Sequence, residues 1–189
     1  MRDKNGELEK LKIELEKNKS LPLYGQANLV FGEGDCESRL LFIGEAPGFH
    51  EDKLGRPFVG RAGQLLNKLL EQNKITRESV YITNIVKRRP PQNRDPLAEE
   101  IEAYKPYLER QVEIINPKVI ATLGRFSMNY FMPEAKISQC HGKVFRLVER
   151  LLLPLYHPAA ALRSTQVLKD LETDFRKIPH ILKQLDQSS

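Results

Sequence analysis

The chain has 189 residues, of which 40% are hydrophobic and 29% charged, a balance typical of a globular protein rather than a disordered one. No apolar run reaches the length of a membrane span, the N-terminus lacks the apolar segment of a signal peptide, and the two distant cysteines form no disulfide framework. We therefore expect one domain over residues 1–189 in the reducing cytoplasm, and the net charge of +5 is compatible with a polyanionic partner without proving one.

The predicted elements alternate between helices and strands along the chain. Helices are predicted over residues 5–18, 61–72, 96–115 and 166–185, with a short helix after Gly124. Strands are predicted from apolar, β-branched and aromatic runs over residues 38–44, 79–86, 118–124 and 151–158, with 143–147 as an edge strand. Pro154 favours an edge position or a bulge for the last long strand.

This alternation predicts an α/β fold in which helices cover both faces of a parallel sheet. Ligands bind such sheets beyond the carboxyl ends of the strands, where three unusual loops should converge. These loops are GEAPG at 44–48, TNIVKRRPPQNR at 83–94 and YHPAAALR at 156–163. We therefore expect a functional crevice between them.

The first loop combines backbone freedom with negative charge. Gly44 and Gly48 let the backbone approach a planar ligand closely, while Glu45 and Glu51 place carboxylates near the crevice. It is not a phosphate-binding loop, because no Gly-Lys-Ser/Thr follows and its acids would repel phosphate. The alternative interpretation is a tight turn from strand to helix with solvated acids.

Asn84 ends a strand that we expect to be buried, so its amide needs hydrogen-bond partners. One interpretation is a core asparagine that caps neighbouring backbone. The other is recognition of uracil, whose O4 acceptor lies beside its N3–H donor and matches a fixed amide. Cytosine presents the reverse pattern, so a locked asparagine would reject it.

His157 and Phe58 belong to loops at the same predicted crevice. The histidine is either a satisfied structural residue or a donor to an oxygen that becomes anionic. The phenylalanine either fills the core or supplies the face on which a flipped base stacks. Basic residues near the crevice form either a solvated face or contacts to the phosphates of a bound strand. They are Arg56, Arg61, Lys87, Arg88, Arg89, Arg94 and Arg163.

Three segments resemble those of a known family: residues 44–66, 80–96 and 156–163. Their order and spacing are similar to those of the family 4 uracil-DNA glycosylases. The resemblance implies a compact three-layer α/β/α domain with a central four-stranded parallel sheet. It also implies hydrolysis of the bond between uracil and deoxyribose in DNA by base flipping, with an abasic site and free uracil as products and no metal in the chemistry. We expect a monomer with no membrane partner.

The resemblance implies roles for three residues at the base. Phe58 matches the aromatic residue that stacks on uracil, and Asn84 matches the specificity asparagine. His157 matches the histidine placed near uracil O2. Together with backbone N–H groups of the first loop, these side chains would stabilise the departing uracil anion.

Further matches concern the sugar, the water and the DNA. Glu45 and Glu51 match acids of the first motif that handle water or the developing cation. Ala46, beside Gly44, lies where other glycosylase families carry a water-activating Asp or Asn. Leu162 is a candidate wedge that fills the gap left by the flipped base. The expected contacts to the DNA backbone are Arg56, Lys87, Arg89, Arg94 and Arg163.

The chain departs from its family at the positions of an iron–sulfur cluster. Family 4 members usually hold a 4Fe–4S cluster on four cysteines, but here those positions are Asn18, Leu21, Arg88 and Tyr104, none of which is a thiolate ligand. We therefore predict a variant without the cluster and without any other metal or cofactor. In this variant Leu21 should pack on the Tyr104 ring. Arg88 and Asn18 should lie at the rim, with Arg88 hydrogen-bonded locally or turned toward DNA.

Three alternative functions remain open. One is a protein that binds uracil-DNA without turnover. A relative of that kind bonds covalently to DNA through a KRRIH-type loop and has GEQPG in its first motif, whereas this chain has KRRPPQ and GEAPG. Another is a glycosylase for a different deaminated base such as hypoxanthine, against which Asn84 argues. The third is a nucleotide-binding α/β protein, which the lack of a phosphate loop disfavours.

Overall fold

The structure is a computed structural model that describes residues 2–187. Its helices are α1 (Lys4–Lys17), α2 (Phe49–Leu54), α3 (Arg61–Gln72), α4 (Ala98–Ile115), α5 (Arg125–Phe131), α6 (Ile137–Cys140), α7 (Pro158–Ala161), α8 (Thr165–Phe175) and α9 (Ile178–Gln187). Its strands are β1 (Glu33–Gly34), β2 (Leu40–Gly44), β3 (Tyr81–Asn84), β4 (Val119–Leu123), β5 (Phe145–Leu147) and β6 (Arg150–Leu155). Within the described residues, no helix is both long enough and apolar enough to cross a membrane.

Four parallel strands form the centre of a six-stranded sheet in the order β1-β3-β2-β4-β6-β5. The short strands β1 and β5 pair antiparallel with β3 and β6 at the two edges. The predicted α/β fold is confirmed, and its four parallel strands are the middle of this larger sheet. The sequence prediction lacks β1, because two residues that include a glycine carry no periodic signal.

Helices cover both faces of the sheet, because successive side chains of the central strands enter two separate cores. In β2, Leu41 and Ile43 belong to the core beneath α1 and α4, whereas Leu40 and Phe42 belong to the core beneath α3, α8 and α9. Each of these apolar side chains contributes about 1.5–3 kcal/mol by burial. All of β2 is buried, as expected for a parallel strand between two helical layers.

Two prolines shape the C-terminal elements. Pro154 lies in β6, which has a strand on each side over Arg150–Leu152 but only β4 beside it at Pro154, so the expected edge position holds at that residue and no bulge is needed. It pairs with Thr122 of β4, but β5 reaches only to the partner of Leu152, so the proline has no antiparallel neighbour that needs its N–H. The helix predicted over 166–185 is two helices, because Pro179 at the second position of α9 cannot continue the hydrogen bonds of α8.

Lys87 is wrong as a predicted DNA contact, because its side chain is fully buried. The chain turns inward after β3, and Lys87 Nζ donates to Thr83 Oγ1 at 2.6 Å and to Gln111 Oε1. Neither acceptor carries a charge, and burial lowers the pKa of the amine well below its ordinary value of 10.5. The lysine therefore belongs to the core beside β3 rather than to a DNA-binding surface.

The buried amine should make stability depend on pH. The folded protein binds fewer protons at Lys87 than the unfolded chain does, so the free energy of unfolding rises with pH until the unfolded amine titrates near 10.5. Between about pH 8 and 9.5, Lys87→Met should lower this slope by up to about 1.4 kcal/mol per pH unit. Urea unfolding of both proteins at several pH values measures the two slopes. Equal slopes would mean that Lys87 stays charged in the folded state.

Candidate active site

The three predicted loops converge on one crevice of about 740 Å³ at the carboxyl ends of the parallel strands. A fourth contribution comes from Gly124 and Arg125 after β4, so all four parallel strands deliver residues to this edge. The sequence contains a signal for this fourth loop, because Gly124 directly follows a predicted strand as Gly44 does. Sequence reasoning treated that glycine only as the end of a strand.

Asn84 and Phe58 meet beside Gly44 in the wall of the crevice. Gly44 pairs with Asn84 in the parallel register of β2 and β3. A Cβ atom at position 44 would lie 2.4 Å from Asn84 Oδ1 and 2.6 Å from the Phe58 ring, so only glycine fits. Asn84 is 2% exposed, and within residues 2–187 its Oδ1 has no hydrogen-bond partner. A buried acceptor without a partner is destabilising, and because Asn84 also lines the crevice, its oxygen is the clearest indication of a ligand that donates a hydrogen bond.

The Phe58 ring forms part of the same wall. It stacks on His157 with the ring centroids 5.7 Å apart and an angle of 27° between the planes. The residue is buried and also packs into the core beneath α3, so it fills the core and faces the crevice at once. Its φ angle of 51° lies in the left-handed region, which a bulky residue adopts only when its surroundings hold it there.

His157 follows β6 and lines the crevice. Its Nδ1 accepts the backbone N–H of Ala159 at 3.0 Å, so the neutral ring carries its proton on Nε2. Burial lowers the pKa of the imidazole to about 4, although Glu51 opposes this shift. Near pH 7 the residue is therefore a neutral hydrogen-bond donor through Nε2.

Glu45 lies where the first loop meets the loop after β4. A Cβ atom at Gly124, whose φ is 99°, would be 2.2 Å from Glu45 Oε1, so glycine makes room for the carboxyl group. Burial raises the pKa of Glu45 to about 7, although the N–H of Phe126 favours the charged form. The neighbouring Ala46 lines the crevice with a methyl group only. Glu45 is therefore a carboxyl group that changes charge near neutral pH.

Glu51 has a different environment from Glu45. Its Oε1 accepts the backbone N–H groups of Val59 and Gly60 at 2.8 and 2.7 Å. These two amides directly follow Phe58, so the carboxylate holds the loop that carries the aromatic ring. Glu51 also lines the crevice. Its position therefore fits two roles: to hold the loop that carries Phe58, and to act on a bound substrate.

Three of the predicted DNA-binding arginines have carboxylate partners within the protein: Arg56, Arg94, and Arg89, whose guanidinium lies 4.0 Å from the Asp52 carboxylate. Exposed Arg56 pairs with partly buried Glu33 at 2.7 Å. Arg94 pairs with Glu100 at 2.6 Å, and Glu100 is almost fully buried. The Arg94 guanidinium holds the pKa of the Glu100 carboxyl below its usual range. Arg94 therefore anchors the loop after β3 to α4 while it also lines the crevice.

The remaining predicted DNA contacts, Leu162 and Arg163, and also Arg89 belong to or lie next to the loops that line the crevice. Arg89 lies over the exposed ring of Phe49, with its guanidinium carbon 5.2 Å from the ring centroid. Arg163 lines the crevice and is exposed. Leu162, directly after α7, exposes 42% of its surface. The sequence predictions for Leu162 and Arg163 thus fall on exposed side chains.

Of the four positions that correspond to iron–sulfur ligands, three hold the neutral residues Asn18, Leu21 and Tyr104, and the fourth holds Arg88. Leu21 and Tyr104 are buried in the same core beneath α1 and α4. The Tyr104 hydroxyl donates to the carbonyl of Pro22 at 2.7 Å, and Asn18 Nδ2 donates to the Tyr107 hydroxyl at 2.9 Å. These bonds tie the segment after α1 to α4.

Arg88 is buried, with 5% of its surface exposed, so its expected place at the rim is wrong. Its guanidinium donates to the carbonyl of Ala27 at 3.1 Å and lies 5.1 Å from the centroid of the Tyr24 ring. A stacked and hydrogen-bonded guanidinium tolerates burial better than an ammonium group does. An amide, an alkyl chain, a guanidinium and a phenol do not fit an iron–sulfur cluster, since such clusters are held by thiolates. Within residues 2–187, no three His, Cys, Asp or Glu side chains are arranged to hold a metal ion.

The crevice thus brings together an aromatic ring, a buried amide oxygen without a partner, a neutral histidine and two carboxyl groups. The chain matches the model of the uracil DNA glycosylase superfamily over residues 31–183, and it belongs to that superfamily. A relative named type-4 uracil-DNA glycosylase, from Sulfurisphaera tokodaii, is 46% identical over 90% of this chain and 83% of its own length. Relatives of the same name from Saccharolobus solfataricus and Archaeoglobus fulgidus are 47% and 45% identical, over 82% and 81% of this chain and 76% and 81% of their own lengths.

The geometry predicts the tautomer of His157. Because Nδ1 is already an acceptor and the pKa is about 4, nitrogen NMR should show the Nε2–H form, with no titration of this ring between about pH 5.5 and 8. The signals of the His157 ring are identified as those that are absent from the spectrum of the His157→Gln variant. A His157 ring protonated on both nitrogens at neutral pH would contradict the inference.

Proposed function

We propose that the protein removes uracil from DNA by hydrolysing the bond between the base and deoxyribose, which leaves an abasic site and free uracil. The observation that carries this proposal is the buried Oδ1 of Asn84, which lacks a partner within the described residues. Membership of the uracil DNA glycosylase superfamily supports it. So does the similarity to proteins named type-4 uracil-DNA glycosylase.

Asn84 distinguishes uracil from cytosine in this proposal. The N3–H of uracil donates to Asn84 Oδ1 while the amide nitrogen donates to uracil O4, so the buried oxygen gains its missing partner. Cytosine has an acceptor at N3 and a donor at C4, which would leave the same oxygen opposite a lone pair. The Phe58 ring supplies the face on which the base stacks after it leaves the duplex.

His157 and Glu45 act on the two opposite charges of the transition state. The breaking bond leaves negative charge on uracil and positive charge on the sugar. The Nε2–H of neutral His157 donates to uracil O2 as it becomes anionic, and loss of one such donor typically lowers the rate by about 10²–10³-fold. Glu45, which ionises near pH 7, stabilises the sugar cation or orients the attacking water. The methyl group of Ala46 leaves that role to the carboxylate.

DNA binding places Leu162 and Arg163 against the opened duplex. Flipping a base costs a few kcal/mol, and an exposed leucine that fills the gap offsets part of this cost. Arg163 and Arg89 supply positive charge beside the crevice, and such contacts to phosphates make affinity fall with salt. We further propose that the chain acts as a single-domain monomer in the cytoplasm, where Cys36 and Cys140 remain free thiols as they are in the structure.

The protein is, in this proposal, a variant of the type-4 enzymes that works without an iron–sulfur cluster. The support is the chemistry of the four positions. Tyr104 and Asn18 make hydrogen bonds between the segment after α1 and α4, and Arg88 ties that segment to the chain after β3. The residues proposed to act on uracil and the sugar lie at other positions, so this tie and the chemistry are separate.

The first test is excision itself, measured as alkali-labile abasic product from a uracil-containing oligonucleotide under single-turnover conditions. Asn84→Ala and His157→Ala should each lower the rate by about 10²-fold or more. Two matched controls carry the same substitutions at exposed sites away from the crevice: Asn5→Ala on α1 and His180→Ala on α9. Both controls should retain the wild-type rate.

The outcomes separate the alternative functions. Tight retention of uracil-DNA without abasic product would indicate a binding protein without turnover. Faster excision of hypoxanthine than of uracil would indicate the other base specificity. Folded Asn84→Ala and His157→Ala proteins with wild-type rates would mean that the base does not bind in this crevice.

A second test concerns the cluster. Protein purified without oxygen should contain no stoichiometric iron and show no charge-transfer absorbance in the visible range. Tyr104→Phe should lower the free energy of unfolding by about 1 kcal/mol, because the carbonyl of Pro22 loses its donor. The excision rate of this variant should stay at the wild-type value. One cluster per chain, measured as iron and acid-labile sulfide, would refute the proposed variant.

A further inference from the structure

Arg77 holds the two backbone carbonyl groups at and before Phe58. It lies in the 3₁₀ turn Arg77–Ser79 just before β3, and its side chain is only 15% exposed. One terminal nitrogen donates to the carbonyl of Pro57 at 2.6 Å, and the other donates to the carbonyl of Phe58 at 3.2 Å. Sequence reasoning did not single out this arginine, because it stands alone in a polar turn far from the three loops.

The Arg77 guanidinium is in turn held by two side chains, those of Glu33 and Asn67. Glu33 Oε1 accepts from Arg77 Nε at 3.1 Å and from a terminal nitrogen at 2.7 Å. Asn67 Oδ1, on α3, accepts from the other terminal nitrogen at 2.8 Å. The guanidinium therefore joins β1, α3 and the loop before α3 in one rigid fork. A lysine would supply one point charge without this planar set of donors.

The Phe58 loop needs such support. Its backbone at Phe58 is left-handed, and Gly63 of α3 approaches so closely that a Cβ atom there would lie 1.8 Å from the Phe58 oxygen. On the other side of the loop, Glu51 accepts the N–H groups of Val59 and Gly60. A cation therefore holds the carbonyl groups of this loop and a carboxylate holds its amides.

We infer that Arg77 is a positioning residue for uracil excision, which fixes the Phe58 ring in the plane that receives the base. Arg77 is not among the residues that line the crevice, so any effect on the reaction must pass through the loop. The inference rests on the proposed function, in which the Phe58 ring stacks on uracil. If Arg77 positions the ring, its replacement should lower the excision rate only when the Phe58 ring is present. A residue that only stabilises the fold would not show this dependence.

A double-mutant cycle tests that dependence. Single-turnover excision is compared for wild type, Arg77→Lys, Phe58→Leu and the double variant at a temperature where all four are folded. Arg77→Lys should lower the rate by about tenfold, since small misplacements of a reacting group have large effects on rate. In the Phe58→Leu background the same change should alter the rate by less than about twofold, because the ring that Arg77 positions is already gone.

Arg110→Lys is the matched control, because Arg110 also binds a carboxylate with its guanidinium, that of Glu14, but on α4 at the outer helical layer. Its rate should equal that of wild type. If Arg77→Lys folds poorly, Glu33→Gln is used instead. This variant weakens the hydrogen bonds that hold Arg77 but keeps the Arg77 guanidinium. Its loss of rate should likewise vanish in the Phe58→Leu background.

Two results would overturn the inference. One is a wild-type rate in the folded Arg77→Lys protein. The other is a double variant whose loss of rate equals the product of the two single losses. Such independent effects would show that Arg77 does not act through the Phe58 ring. Failure of the proposed function looks different, because wild-type protein would then make no abasic product at all.

Discussion

The contact between Gly44, Asn84 and Phe58 is the constraint on which the rest of the site depends. Parallel pairing of β2 with β3 puts Gly44 beside Asn84, and the missing Cβ atom lets the Phe58 ring close over both. Any side chain at position 44 would separate the amide from the ring. Because both strands are buried on both faces, the backbone cannot move aside to make room. In the proposed function, the selectivity of the wall is therefore a consequence of sheet register, and the loops complete the wall.

Burial moves the two titrating groups of the crevice in opposite directions. It lowers the pKa of His157 to about 4 and raises that of Glu45 to about 7, since in each case the charged form loses hydration. In the proposed function, the protein thus meets DNA with a neutral donor for the base and a carboxyl group that ionises near neutral pH. A group that gains its charge partner only when the sugar becomes cationic stabilises the transition state more than the bound substrate. In the proposed function, the burial of these two groups is in this sense part of the chemistry.

The sequence predicts the sheet and the loops well, because long apolar runs and the glycines after them are strong local signals. It predicts side-chain direction poorly, and residues 87–89 show why. Lys87, Arg88 and Arg89 form one basic run, yet the first is fully buried, the second is buried against Tyr24 and the third lies over Phe49 near the surface. Lys87 donates to Thr83, four residues away, but also to Gln111, and Arg88 donates to the carbonyl of Ala27. Because Gln111 and Ala27 are distant in the chain, charge alone does not show which member of the run faces DNA. Arg77 escapes sequence reasoning for the same reason, since its partners lie 10 to 44 residues away.

The buried Arg88 connects the N-terminal segment to the crevice. It lies on the chain that leaves β3 at Asn84 and reaches the crevice wall at Pro90, so anchoring it fixes both ends of that wall. A cluster at this place would supply covalent ties between the same segments, whereas here hydrogen bonds and a stacked guanidinium supply them. Neither kind of tie places a reactive atom next to the base. The position of the tie therefore indicates a mechanical role, in which any set of contacts that keeps the chain after β3 in place leaves Asn84 correctly oriented.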